Sequence, residues 1–243
     1  MRCNINGAAT IFALLGSSFL TACGGGSDGN GGSDGIPVAQ TAAHCFDDAR
    51  YMPGNKIEQD IAQIYVPYVQ RRTYETSARS ASFNGNDNLI EHSYLVSILD
   101  ASIDLRKHTL YFKADAPNAY WNYGSIIEVF GENPQKSTNI LSEPFINRRA
   151  SLKIGDSWSY RVHGELKSEP PPYTQKIDFT VMYTYLGDEE LSIGNRKVNA
   201  CKFRIDNGGS EWVYKSVVIQ QSSSDEKSII EKTVKLMLNG KDY

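Results

Sequence analysis

Between Ile177 and Tyr185 the chain alternates without a slip, with Ile177, Phe179, Val181, Tyr183 and Tyr185 on one side and Asp178, Thr180, Met182 and Thr184 on the other. A period of two predicts a half-buried β-strand, because successive side chains leave opposite faces of the pleat. Trp158, Tyr160 and Val162 alternate in the same way with Ser157, Ser159 and Arg161. So do Cys201, Phe203 and Ile205 with Lys202, Arg204 and Asp206, which predicts that Cys201 points inward. Turn residues bracket these runs at Asn84-Gly85-Asn86, Gly131-Glu132-Asn133-Pro134, Gly155-Asp156, Gly187-Asp188, Gly194-Asn195 and Asn207-Gly208-Gly209. Further strands are expected at 72–83, 91–99, 108–114, 125–130, 212–219 and 229–238. Ile57, Ile61, Ile64 and Tyr65 match a helical face, but Pro67 closes that stretch early and we read it as a strand. The pattern as a whole predicts an antiparallel all-β domain in a strongly curved sheet, a sandwich or an open barrel.

The first residues follow another logic. Met1 and Arg2 precede an apolar run from about Gly7 to Leu20, broken by Gly16, Ser17 and Ser18. A spanning helix needs roughly 20 mostly apolar residues, so this run predicts a signal peptide over 1–22 rather than an anchor helix. Leu20, Thr21, Ala22 and Cys23 resemble the lipobox of bacterial lipoproteins. The resemblance implies a diacylglyceryl group on the Cys23 thiol, cleavage that makes Cys23 the new N-terminus, and further acylation of the palmitate type. The alternative is an ordinary secretory signal that leaves a free, reactive thiol at the new terminus. Residues 23–36 then form a linker, since Gly24 to Gly35 carry no apolar side chain, and a coil of that length reaches on the order of 20 Å. By the sorting rule of enteric lipoproteins, Gly24 after the lipidated cysteine implies the outer membrane.

Residues 37–243 remain for a globular body, either one sizeable β domain or two sub-regions at about 37–148 and 149–243. A net charge of −3 with no basic stripe excludes nucleic acid as the expected partner. The predicted partners are the membrane, through the lipid, and an apolar ligand or an envelope protein. Once Cys3 leaves with the signal and Cys23 is lipidated, Cys45 and Cys201 are left. In an oxidising compartment two such thiols pair where geometry allows, and closing so long a loop stabilises by about 5 kcal/mol in the chain-entropy model. Two unpaired buried cysteines are the alternative. A metal site is not expected, because His44 alone adjoins either cysteine and one neighbour does not make a cage.

A second resemblance spans most of residues 37–243. The segments HCFDDARYMPGNKIE at 44–58, SASFNGND at 80–87, LKIGDSWSY at 152–160, TYLGDEELSIGNRKVNACKFRI at 184–205 and EWVYKSVVIQ at 211–220 are similar, in this order, to a group of uncharacterised proteobacterial lipoproteins. The chain departs from that group at Lys197-Val198, where Thr-Phe is usual, and at Ser216-Val217-Val218, where a Gly-Val or Gly-Leu turn is usual. The resemblance implies a Cys45–Cys201 disulfide and implies no activity.

Chemistry-bearing patterns are sparse. His44, His92, His108 and His163 lie far apart in sequence, with no nucleophile elbow and no phosphate-cradling loop outside the linker, so no catalytic residue and no cofactor is predicted. His163 beside Asp178 is the best catalytic pairing, against which stands a solvated strand histidine. Asp188-Glu189-Glu190 lacks the interleaved ligands of a calcium loop and reads as a solvated turn. Tyr120-Trp121-Asn122-Tyr123-Gly124 offers aromatic faces to a sugar or an apolar partner, with hairpin packing the simpler reading. Glu169-Pro170-Pro171-Pro172-Tyr173 predicts a short polyproline connector, and 221–227 a polar loop tip. The function expected from this is a non-enzymatic binding or scaffolding lipoprotein of the outer membrane. The alternative is a periplasmic or cell-surface hydrolase acting on envelope material.

Overall fold

In a computed structural model that describes residues 41–101, 103–116 and 118–243, the alternating runs pair into one antiparallel sheet that closes on itself. The first six strands are β1 (Lys56–Gln63), β2 (Gln70–Phe83), β3 (Asn86–Ile98), β4 (Ile103–Ala116), β5 (Ala119–Val129) and β6 (Gln135–Ile146). They are followed by β7 (Ser157–Glu169), β8 (Tyr173–Ile193), β9 (Arg196–Ile205), β10 (Gly209–Tyr214), β11 (Val217–Ser222) and β12 (Ile229–Leu238). Each strand pairs with its sequence neighbours, and β12 returns to pair with β1 from Glu231↔Gln63 to Leu238↔Ile57. The result is a closed twelve-strand meander barrel, the barrel form of the expected all-β fold. Closure removes the free edges that an open sheet would expose. A short β13 (Lys241–Asp242) adds to the end of β12. The predicted signal, Cys23 and the 23–36 linker lie outside the described residues.

Cross-strand register identifies the inward face. Ile57, Tyr74, Tyr94, His108 and Ile127 are successive partners across β1 to β5, and Gln59, Arg72, Val96 and Arg106 form the next row. On the far wall Tyr183, Tyr185, Phe203 and Cys201 share that face, as the alternation predicted. Ile57, Gln59, Ile61, His92, Val96, Tyr185, Cys201, Phe203 and Val213 are all fully buried there.

Up-and-down connectivity places every second hairpin at the same end. The turns after β2, β4, β8 and β10, and the β6–β7 loop, share the end at which the described chain begins. Two 3₁₀ turns, Ala42–Cys45 and Asp48–Tyr51, lie across that end ahead of β1. Their grip on the β10–β11 turn is dense. Ser216 donates its backbone N–H to the Cys45 carbonyl (2.9 Å), its hydroxyl accepts from the Asp47 N–H (2.8 Å), and its carbonyl accepts from the Arg50 guanidinium (2.5 Å). Asp48 accepts from the Asn118 N–H (3.1 Å) and from the Tyr120 hydroxyl, and Asp47 from the Tyr243 hydroxyl (2.9 Å). The segment thereby caps the barrel.

Three local expectations are corrected. The run 212–219 is not one strand but a hairpin, turning at Lys215 and Ser216 with φ of 47° and 63°. Two positive φ values in a two-residue hairpin normally call for Asn-Gly, and here the bonds to Ser216 hold the turn without glycine. Gly187-Asp188 is not a turn but a bulge inside β8, between the Tyr185↔Phe203 and Gly187↔Lys202 pairs, with Gly187 at φ 110°. The proline run is the tight turn between β7 and β8, with a cis Pro170–Pro171 bond, rather than an extended connector.

Gly164 marks a close approach between β7 and β6: a Cβ there would sit 2.0 Å from the Ile140 carbonyl oxygen on β6. We expect Gly164→Ala to lower stability by about 1–3 kcal/mol, the usual cost of overpacking, in urea unfolding followed by tryptophan fluorescence.

Candidate functional site

The barrel interior is the candidate site, and its chemistry divides between two walls. On the β2–β5 wall, Arg50 reaches inward from the cap and stacks its guanidinium over the Tyr74 ring at 4.5 Å. Its Nε donates to His92 Nε2 (3.3 Å), the other ring nitrogen of His92 meets Thr76 Oγ1 (2.8 Å), and the Thr76 hydroxyl donates to the Arg50 carbonyl (3.3 Å). This loop fixes the tautomer. His92 accepts at Nε2 and donates at Nδ1, so it is neutral. Burial drives its pKa well below the ordinary value, with the Arg50 charge acting in the same direction.

His108 lies diagonally across from His92 on the same face, its Nδ1 within 2.8 Å of the Tyr94 hydroxyl. Burial, with Arg106 and Arg50 nearby, lowers its pKa to about 4. Arg72, one pair further along, holds Glu231 of β12 through two contacts of 2.8 and 2.7 Å, and Gln63 donates to the same carboxylate (2.5 Å).

The opposite wall is aromatic. Phe145 stacks on Tyr160 (4.0 Å between centroids), Tyr160 on Trp158 (4.7 Å), and Trp158 on Tyr183 (6.0 Å). Arg149, from the β6–β7 loop, lies over the Tyr183 ring at 4.7 Å and donates to Glu211 of β10. Both charges of this pair are buried, and burial raises the Glu211 carboxyl pKa against the opposing pull of Arg149. Desolvation likewise raises the Tyr160 and Tyr183 hydroxyl pKa values.

Although they face inward, Tyr94, His108, Leu110, Trp158, Tyr160 and Tyr183 are only partly buried, and Phe179 is 45% exposed. Solvent therefore reaches part of the interior. Packing is tight between β1, β11 and β12, where the crevice beside Gln59, Thr233 and Gln220 is too small for a water molecule. Four buried polar atoms without a partner, Gln70 Oε1, Arg72 Nε, His108 Nε2 and Asn139 Oδ1, belong to side chains of the inward face. Three arginines, Arg50, Arg72 and Arg149, reach this interior against two carboxylates, Glu211 and Glu231, and the exposed Arg106, on the same face of β4 as His108, adds a further positive charge nearby.

The sequence-predicted residues fall as follows. Cys45 and Cys201 form a disulfide that ties the cap to β9, across 156 residues of chain. Cys23 lies outside the described residues. His163 does pair across the hairpin with Asp178, but both are exposed and Arg161 holds that carboxylate through two 2.6 Å bonds. The acidic trio is on β8 rather than in a turn: Asp188 meets His44 Nε2 at 3.0 Å, Glu189 accepts from Trp212 Nε1 (2.9 Å), and Glu190 from Lys197 (2.6 Å). Trp121 and Tyr123 line a shallow depression of about 330 Å³ with Lys113, Ala114, Asp115 and Pro144, while Tyr120 packs on Tyr51 and Phe112. Sequence reading missed Arg50, Arg149 and Glu211, since a lone charged residue in a loop or strand gives no periodic signal of burial. Comparison with protein-family profiles, curated proteins and solved structures finds no match to this chain.

Two predictions follow from the buried charges. Arg149→Met strands the Glu211 carboxylate and is expected to cost about 3–5 kcal/mol in urea unfolding, most of which the double variant Arg149→Met, Glu211→Leu recovers. Because His92 and His108 are held neutral, the unfolded chain binds more protons than the folded one below pH 6.5. Stability should then fall as pH drops from about 6.5 towards 4, by up to about 1.4 kcal/mol per pH unit for each histidine, and His108→Gln should flatten that slope.

Proposed function

We propose that the chain is a non-enzymatic lipoprotein of the bacterial outer membrane, anchored through acylated Cys23, and that its barrel interior binds an amphipathic molecule carrying a carboxylate or similar anion. The observation that carries the ligand reading is the pair of unpartnered inward-facing nitrogens, Arg72 Nε and His108 Nε2, which can donate to an anion beside a surplus of arginine charge; the unpartnered amide oxygens of Gln70 and Asn139 accept only, and so suit a hydroxyl elsewhere on the same ligand. A buried polar atom is ordinarily satisfied, so such a group is a place where a ligand gains bonds that the protein does not supply for itself. The aromatic wall from Phe145 to Tyr183 offers the apolar half of the same ligand a surface to lie on. Support for the envelope comes from the lipobox-like Leu20-Thr21-Ala22-Cys23 and from a disulfide that persists only outside the reducing cytosol.

A fluorescent long-chain carboxylate tests the ligand reading against its methyl ester. The acid is expected to bind and to quench tryptophan emission, with Arg50→Gln and Arg106→Gln each weakening it about tenfold, as loss of a charged hydrogen bond does, and the ester should respond to neither change. Equal binding of acid and ester, or none of either, overturns it. Separately, Cys23→Ser is expected to abolish incorporation of labelled palmitate and to move the protein from the membrane fraction to the soluble one.

A further inference from the structure

We propose that reduction of the Cys45–Cys201 disulfide converts the junction of cap and barrel into a tetrahedral zinc site, with Cys45, Cys201, His44 and Asp188 as its four ligands. One potential donor atom from each lies within 4.8 Å of all the others. Cys201 Sγ is 3.6 Å from His44 Nε2 and 3.5 Å from Asp188 Oδ1, and His44 Nε2 is 3.0 Å from Asp188 Oδ2. The edges of a tetrahedron built on zinc bonds of about 2.3 Å to sulfur and about 2.0 Å to nitrogen or oxygen are roughly 3.3–3.8 Å. The Cys201 sulfur, the His44 imidazole and the Asp188 carboxylate, the last through Oδ1 towards the sulfur and Oδ2 towards the imidazole, therefore already stand near the spacing that the ion requires.

The surroundings of His44 make the second argument. Its Nδ1 faces the Thr41 carbonyl at 3.1 Å, so that nitrogen carries the proton and Nε2 is turned towards a carboxylate. Two oxygen acceptors on one ring need either a second proton or a cation between Nε2 and Asp188. A backbone carbonyl on the distal ring nitrogen is the arrangement that orients a metal-bound histidine. Asp188 is supported in the same way, accepting from the Tyr185 hydroxyl (2.5 Å) and from Asn199 Nδ2 (3.5 Å). The β8 bulge at Tyr185/Gly187 brings Asp188 opposite Cys201; in unbroken alternation it would point away. His44 and Asp188 keep 31% and 24% of their side-chain surface exposed, which leaves the site open to solvent on one side, while both sulfurs are buried.

The chemistry balances through thiol–disulfide exchange. A dithiol reductant gives up two electrons and two hydrogens and becomes a disulfide, while Cys45 and Cys201 become thiols. On binding Zn²⁺ each thiol releases its proton to solvent. Two thiolates, one carboxylate and a neutral imidazole then enclose the dication, with a net charge of −1 at the site.

The test uses Co²⁺ as a spectroscopic probe on the full chain, reduced with a phosphine that does not compete for the metal. The reduced protein is expected to take up cobalt with thiolate charge-transfer and tetrahedral ligand-field absorption, to release it to Zn²⁺, and to show neither band when oxidised. His44→Ala and Asp188→Asn should each weaken cobalt binding at least tenfold, and the double variant Cys45→Ser, Cys201→Ser should abolish the bands. Circular dichroism covers the case in which the reduced barrel loosens: Zn²⁺ should then restore its β signal and raise its Tm. The proposal is overturned by a reduced wild type without the thiolate band, by bands that survive joint replacement of His44 and Asp188, or by a loosened barrel that zinc does not restore.

Discussion

Ring closure between β1 and β12 is the constraint to which the other features answer. Closing twelve strands satisfies the edge hydrogen bonds, but it also commits every second side chain to an enclosed space that those side chains alone must fill. At one end the chain supplies its own filler, the two 3₁₀ turns before β1. This filler is short and lacks regular structure, so its own hydrogen bonds are too few to hold it. The disulfide to Cys201 and the hydrogen bonds to Ser216, Asn118, Tyr120 and Tyr243 fix it instead. Arg50 and Tyr51 are then held against Tyr74, His92 and Phe112 on the opposite wall.

Charge inside the barrel is managed by two devices. Arg149 of the β6–β7 loop is paired with Glu211 of β10, and Arg72 of β2 with Glu231 of β12, and in each the attraction offsets a desolvation cost of several kcal/mol per ion. The histidines are handled by removing the charge altogether: His92 is locked neutral between a guanidinium and a hydroxyl. Polar groups arranged in this way fix the register of a wide barrel more narrowly than apolar packing does, because a one-pair slip leaves each of them without a partner.

Much of the wall was legible in the sequence. The strict alternation of β7, β8 and β9 comes from a sheet with one face enclosed and one in solvent, and the period of two reports that directly. The inward Cys201 followed from the same pattern. What was not legible depends on tertiary bonds. Lys215 and Ser216 carry no turn signature, since the cap, and not local backbone preference, holds them there. The bulge at Gly187 looks like a turn because both use a glycine at positive φ. His44 and Asp188 are separated by most of the chain, so no spacing rule joins them, whereas their meeting at 3.0 Å is plain in the fold. The interior arginines are invisible for a related reason: nothing local tells a buried, paired arginine from a solvated one.

The meander topology has a consequence for the order in which the molecule is assembled. Eleven of the strand pairings that make the ring join sequence neighbours, and each can form as soon as a hairpin has been delivered to the compartment where folding takes place. The twelfth, between β1 and β12, waits until nearly the whole polypeptide has arrived, and until then β1 offers an unpaired edge to any other strand nearby. The covalent link from Cys45 to Cys201 becomes possible three strands earlier, when β9 appears, so oxidation can tether the leading segment to the growing wall before the ring shuts.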